Sequence, residues 1–197
     1  MTSVTLTKGV ESLESIIGAG LVRQGSAVLL GSVFLAAMSQ ITVPFFPVPM
    51  TLQTLAVMLI GLTLGFRLAT LTVATYLVEG AIGLPVFAGF ASGPAVFIGG
   101  TAGYLAGFLA AAAAMGFLVD RGAAKSWLGR IATLAVGEAL IFGLGIAYLT
   151  YLYGFSKALE YGLYPFVAAD LLKMLIAALL GTGILQGVSR YSSNRAG

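Results

Sequence analysis

YPFVAADLLKMLIAALLGTGILQGV, residues 164–188, is an apolar run interrupted only by Asp170 and Lys173. It exceeds the roughly 20 residues a helix needs to cross a bilayer, so its reading decides the fold. A charge near the middle of a membrane helix costs about 2.5–3.5 kcal/mol on insertion scales, and such residues face a cavity, a partner or a substrate. At a spacing of three residues the two side chains share one helix face, with Cβ atoms roughly 5–6 Å apart. Two readings follow: a pair that neutralises itself inside a bundle, or a polar anchor for a small ligand.

Composition places the rest of the chain in the same setting. Of 197 residues, 59% are hydrophobic and 9% charged, and the mean hydropathy is +1.02, whereas a soluble domain carries about 25% charged residues. The net charge is +3, but the basic residues cluster between hydrophobic spans as topology determinants do, so nucleic-acid binding is rejected. With no cysteine and no histidine, disulfides, thiol catalysis, imidazole bases and the usual zinc ligand sets are excluded.

Apolar runs mark six segments, 26–43, 50–64, 68–78, 95–119, 128–153 and 164–188. The expectation is an all-α integral membrane protein, six transmembrane helices in a bundle with irregular outer loops capping a pocket. The second and third segments are short and flank a tight turn at Gly65-Phe66-Arg67, which makes them a hairpin. Residues 1–25 are expected as a cytoplasmic or interfacial segment without a signal-peptide core, 26–190 as the substrate-binding domain and 191–197 as a cytoplasmic tail. Lys8, Arg23, Arg67, Arg121, Lys125, Arg130, Arg190 and Arg195 fall on one side of this arrangement and Lys157 alone on the other. That asymmetry puts both termini in the cytoplasm.

The outer connections differ in character. Residues 43–50, VPFFPVPM, hold three prolines and favour an extended path. Residues 80–94, GAIGLPVFAGFASGP, are apolar yet cannot be helical. Irregular backbone at membrane depth survives only where protein buries it or a cavity is lined by it, so this loop reads as a lid. Residues 154–163, with Lys157, Glu160 and Tyr161, read as an exposed linker. Gly103, Gly107 and Ala110 to Ala114 form thin packing faces. In the first span, Ala27 with Gly31 and Ser32 with Ala36 are small pairs suited to packing within the bundle or to docking a partner helix.

The chemistry present is sparse. No phosphate-binding glycine loop ending in Lys-Ser/Thr appears; Gly143-Leu144-Gly145 and Gly181-Thr182-Gly183 lie inside spans. Glu138, near the middle of the fifth span, is either a proton-coupling carboxylate or a hydrogen-bonded structural one. No serine with a base, no paired aspartates and no metal cluster support an enzyme, so binding is the expectation.

Four blocks then resemble one family: Pro47-Val48-Pro49-Met50-Thr51-Leu52-Gln53-Thr54, Gly80-Ala81-Ile82-Gly83-Leu84-Pro85-Val86-Phe87, Gly99-Gly100-Thr101-Ala102-Gly103-Tyr104 and Asp170-Leu171-Leu172-Lys173. In this order they are similar to the BioY family, the biotin-specific S components of energy-coupling factor transporters. The third block departs from the family's usual Gly-Pro-Thr-Gly-Gly-Tyr at Gly100 and Ala102. The resemblance implies a six-helix fold in a prokaryotic cytoplasmic membrane, no catalytic activity, no cofactor and no metal. It implies biotin as the transported ligand, with a transmembrane T component and two ATPase subunits as partners, the small pairs of the first span being candidates for docking the T component. Asp170 and Lys173 are then expected to contact the vitamin: Asp170 to accept from the ureido N–H groups, Lys173 to donate to the ureido carbonyl or to hold the aspartate. Phe87, Tyr104 and Phe90 are expected as apolar walls, with Gln53 and Thr51 as further hydrogen-bonding groups. For the ligand carboxylate, Lys157 or Lys173 is the available cation. A proton-coupled carrier working alone is the alternative, with Glu138 or Asp170 titrating; a membrane enzyme or scaffold sharing the fold is a further rival.

Overall fold

The structure, a computed structural model, describes Leu13, Ile17 and residues 20–195, with side chains as far as residue 187; the expected N-terminal segment therefore lies largely outside the described residues. The elements run α1 (Leu21–Gln40), β1 (Thr42–Val43), β2 (Met50–Thr51), α2 (Gln53–Leu64), α3 (Phe66–Ala81), α4 (Ala102–Asp120), α5 (Trp127–Tyr153), α6 (Phe155–Gly162) and α7 (Val167–Arg195). Three 3-10 turns, at Ala88–Phe90, Pro94–Ile98 and Ala123–Lys125, punctuate the connections. Each of the six expected segments contains a helix, but the count of six is corrected: seven α-helices stand among the described residues. The seventh is α6, inside the stretch expected as a linker. Gly154, at φ 85°, ends α5 in a conformation that costs glycine little. The chain then turns into an eight-residue helix with Ala158 and Gly162 buried.

Among the described residues four helices, Leu21–Gln40, Ala102–Asp120, Trp127–Tyr153 and Val167–Gly187, are long and apolar enough to cross a membrane. α2 is not: twelve residues span roughly 18 Å at 1.5 Å each. Every residue of α2 except Leu59 is buried, as befits a helix that is apolar all round. It stands as a central post against α3, α4 and α7. Gly65, at φ 80°, is the single residue between α2 and α3, so the expected hairpin is present with an even tighter turn.

The fourth segment starts later than expected. Pro94–Ile98 forms a 3-10 turn and α4 begins only at Ala102, because Gly99-Gly100 interrupts the helical path. Gly100 lies against the loop after β1, where a Cβ would come within 3.2 Å of the Pro47 Cβ. The expected thin faces of α4 are used: a Cβ on Gly107 would meet the Ile141 Cα at 2.8 Å, so α4 and α5 pack backbone to backbone. The proline-rich segment is extended only at its ends: it bends at residues 46–48 and doubles back, with Thr42 paired to Thr51 and Val43 to Met50 in a short antiparallel ladder.

One end of the bundle gathers charge. The Phe66 N–H donates to Asp120 Oδ2 at 2.9 Å, tying the start of α3 to the end of α4. Arg121 lies 4.4 Å over the Phe117 ring, and Arg130 donates to Thr182 Oγ1 at 3.2 Å. The β1–β2 ladder and the 82–93 loop occupy the opposite end. Between the ends, Leu29, Leu30 and Val33 of α1 and Leu171, Leu172, Leu175 and Leu179 of α7 are exposed. Such a girdle has lipid tails as its natural solvent, and the chain is a multi-pass membrane protein.

The small pairs of α1 serve the bundle. A Cβ on Gly31 would lie 2.6 Å from Thr72 Cγ2 of α3. Ser32 is buried and donates to Glu79 Oε1 at 3.0 Å. Of the two uses the sequence left open, packing within the bundle is the one the geometry takes at these residues.

Candidate functional site

The first turns of α2 and α7 meet beneath the irregular end of the bundle. Asp170 sits in the first turn of α7, where the positive end of the helix dipole favours a carboxylate. Lys173 follows one turn later, and both are buried, at 3% and 6% exposure. The Lys173 ammonium makes three hydrogen bonds: to Asp170 Oδ1 at 2.9 Å, to Thr54 Oγ1 at 3.1 Å and to the Thr51 carbonyl at 2.7 Å. Thr54 in turn donates to Asp170 Oδ1 at 2.6 Å. An ammonium has three N–H donors, so this network uses all of Lys173.

It does not use all of Asp170. The Oδ2 oxygen is buried and has no hydrogen-bond partner among the described residues, and Asp170 lines a cavity of about 280 Å³. A buried acceptor left unsatisfied costs about 1–3 kcal/mol, more when charged. At the cavity wall Asp170 thus keeps one acceptor without a partner, on a carboxylate held in place by a lysine and a threonine.

Around that oxygen the walls are apolar and aromatic. Leu105, Phe108 and Ile141 line the buried floor, Phe142 and Phe166 the side, and Phe87 with Ala88 and Ala91 the cover. Phe87 packs edge-on against Tyr76 at 5.3 Å and Phe97 at 5.7 Å, and its ring occupies the space a side chain at Gly80 would take. Tyr104 sets its ring against Phe142 at 6.3 Å and donates its hydroxyl to the Gly162 carbonyl at 2.7 Å, so α6 holds one wall. Gly145 leaves room for that ring.

Six of the seven expected site residues converge here: Asp170, Lys173, Phe87, Tyr104, Gln53 and Thr51 all line the cavity. Thr51 donates to Gln53 Oε1 at 3.0 Å and Gln53 donates to the Tyr76 hydroxyl at 2.7 Å. Phe90 is the exception. Its side chain is 69% exposed and outside the lining, because the residue adopts φ 58° and the chain turns its ring outward. Lys157 is exposed on α6 and also outside the lining. Thr54, Phe108, Phe142 and Phe166 were not singled out from the sequence. Phe108 lies four residues after Tyr104 and Phe166 four before Asp170, the same-face spacing that gives a signal for both. Glu138 lies one turn before Ile141 and Phe142, and both of its carboxylate oxygens are buried without a partner among the described residues, so the hydrogen-bonded structural role is not what the geometry gives it.

Known proteins share this architecture. A family model described as "BioY family" matches residues 8–190. A Thermotoga maritima protein named biotin transporter BioY is 42% identical over 141 residues, 71% of this chain and 82% of the relative. A Lactococcus lactis protein named biotin transporter BioY2 is 34% identical over 175 residues, 85% of this chain and 94% of the relative. The crystal structure of the S component for biotin from an ECF-type ABC transporter superposes with a TM-score of 0.73 at 25% identity, over 81% of this chain and 89% of the other. The matched stretch takes in the hairpin, the lid, the turn before α4 and the Asp170/Lys173 pair, and the relatives carry the names of transporters, not of enzymes: this chain belongs to the BioY family.

Proposed function

We propose that this chain is a biotin-capture subunit, the S component of an energy-coupling factor transporter. The observation that carries the reading is the partnerless Asp170 Oδ2 at the wall of a cavity lined mainly by aromatic and aliphatic side chains. Biotin offers ureido N–H donors to such an oxygen, and its fused rings and aliphatic tail suit walls of Phe87, Tyr104, Phe108, Phe142 and Phe166. Lys173, with its donors used, holds the aspartate and does not serve the ligand carboxylate. With Lys157 outside the cavity, the carboxylate faces the rim, where Ala91 is exposed and Pro49, Ala88 and Thr101 are half-buried.

In this proposal residues 26–190 form the substrate-binding unit of a prokaryotic cytoplasmic membrane protein, with 1–25 and 191–197 on the inner side. The charged end, with Arg67, Arg121, Lys125 and Arg130, faces the cytoplasm, and the cavity opens outward. A transmembrane T component and two ATPase subunits supply the energy, which fits a chain with no nucleotide motif of its own. Glu138, a midspan carboxylate without a partner, favours a second reading, a proton-coupled carrier working alone. Uptake that survives an uncoupler and stops on ATP depletion supports the first; the opposite pattern supports the second.

The deciding experiment is calorimetric titration of biotin into the detergent-solubilised chain beside Asp170→Asn. Tight one-to-one binding is expected, weakened at least about tenfold, or 1.4 kcal/mol, in the variant. Equal affinity removes Asp170 from the site, and no binding by a folded wild-type chain removes biotin.

A further inference from the structure

The cover of the cavity is fastened from beneath by side chains that do not line it. The two ends of a single carboxamide, Gln40 at the end of α1, grip the loop: Nε2 donates to the Phe87 carbonyl at 3.0 Å, and Oε1 accepts the Phe90 N–H at 3.0 Å. Ser39 donates to the Val86 carbonyl at 2.6 Å and accepts from Gln40 Nε2 at 2.7 Å. Tyr76 of α3, fully buried, donates to the same Val86 carbonyl at 3.2 Å. Phe90 itself sits at φ 58°, a left-handed conformation that a bulky residue keeps only where its surroundings over-determine it.

These bonds continue into the site. Tyr76 accepts from Gln53 at 2.7 Å, Gln53 from Thr51 at 3.0 Å, and the Thr51 carbonyl from Lys173 at 2.7 Å. A run of hydrogen bonds thereby joins the lysine beside Asp170 to the main chain on either side of the Phe87 ring. From this juxtaposition we infer that Gln40, with Ser39 and Tyr76, are positioning residues that seat the 86–90 stretch on the cavity and set how slowly a bound ligand leaves. The part concerning the ligand rests on the biotin reading; the fastening itself does not.

Two consequences separate this role from general structural support. Lifting the cover exchanges these bonds for bonds to water at the outer surface, so their loss has a moderate effect. A bound ligand leaves only when the cover lifts, so weaker fastening speeds departure, and it does not slow entry. In Gln40→Met, of similar length and without the amide, the main-chain N–H groups of residues 87–91 should exchange with deuterium at least about tenfold faster in the unliganded full chain, with α2 and α4 exchanging as in wild type. Preloaded radiolabelled biotin should dissociate at least about tenfold faster while its association rate does not fall. Gln40→Glu keeps the acceptor and should restore protection at the Phe90 amide but not the full retention time. Tyr76→Phe, which removes the hydroxyl bonded to the Val86 carbonyl, should reproduce the faster release. Unchanged lid exchange in Gln40→Met, or an affinity lost through slower association alone, overturns the inference. The exchange measurement uses no ligand, so a wild-type chain that fails to bind biotin sinks the biotin reading and leaves the fastening decided on its own data.

Discussion

Lys173 is fully committed, with its three donors divided among a carboxylate, a hydroxyl and a main-chain carbonyl. Removing one partner of a buried ion pair is costlier than removing both, because the survivor is left as an uncompensated charge, at about 3–5 kcal/mol. Lys173→Met is therefore expected to lower the melting temperature in detergent sharply. Asp170→Asn combined with Lys173→Met is expected to recover most of that loss, although neither chain should hold biotin tightly. A double variant that melts as low as the single one would show that the lysine contributes through packing and not through charge. The pair was legible in the sequence because two ionisable residues in an apolar run have few physical explanations. Thr54 was not, since a threonine in the first turn of a helix has ordinary reasons to be there. Only the approach of α7 to α2 shows that its hydroxyl holds Asp170 Oδ1. Phe90 was misplaced because an apolar residue in a lid reads as lining, and only the backbone at φ 58° turns it outward.

At the scale of elements, the seam between α4 and α5 depends on glycine. A Cβ on Gly107 would press on Ile141 Cα at 2.8 Å, and overpacking a tight contact costs about 1–3 kcal/mol. Gly107→Val is expected to lower thermal stability by about that amount. Because Ile141 also forms part of the cavity floor, the affinity for biotin should fall with it. Wild-type affinity in a destabilised variant would separate the floor from the seam. The spans themselves were readable from apolar length, and the α2–α3 turn from Gly65 followed by Arg67. α6 was hidden: eight residues between Gly154 and Leu163 are too few to show periodicity, and the bond that ties Gly162 to the bundle comes from Tyr104, fifty-eight positions away. The late start of α4 was hidden as well, since the apolar residues of the 3-10 turn at Pro94–Ile98 read as the beginning of a helix.

At the scale of the whole molecule, Arg67, Arg121, Lys125 and Arg130 gather at one end and the lid sits at the other with Lys157, a division the loops had already announced. The chain has no cysteine, so single cysteines report sidedness without a background to remove. Lys157→Cys should react with a membrane-impermeant maleimide in intact cells, and Lys125→Cys only after the membrane is opened. The reverse would invert the bundle, and with it the direction of capture. One contact bears on how a grip of this kind is undone. The acceptor that Lys173 finds on Thr51 is a main-chain carbonyl, so no side-chain replacement at position 51 deletes it, whereas a tilt of the short strand that carries it does. Peel that strand from α7 and one arm of the ammonium comes free beside the very oxygen a ligand would occupy. The lysine then competes for the seat it had been guarding, and opening and eviction become a single event, addressed to a shape and not to any one residue.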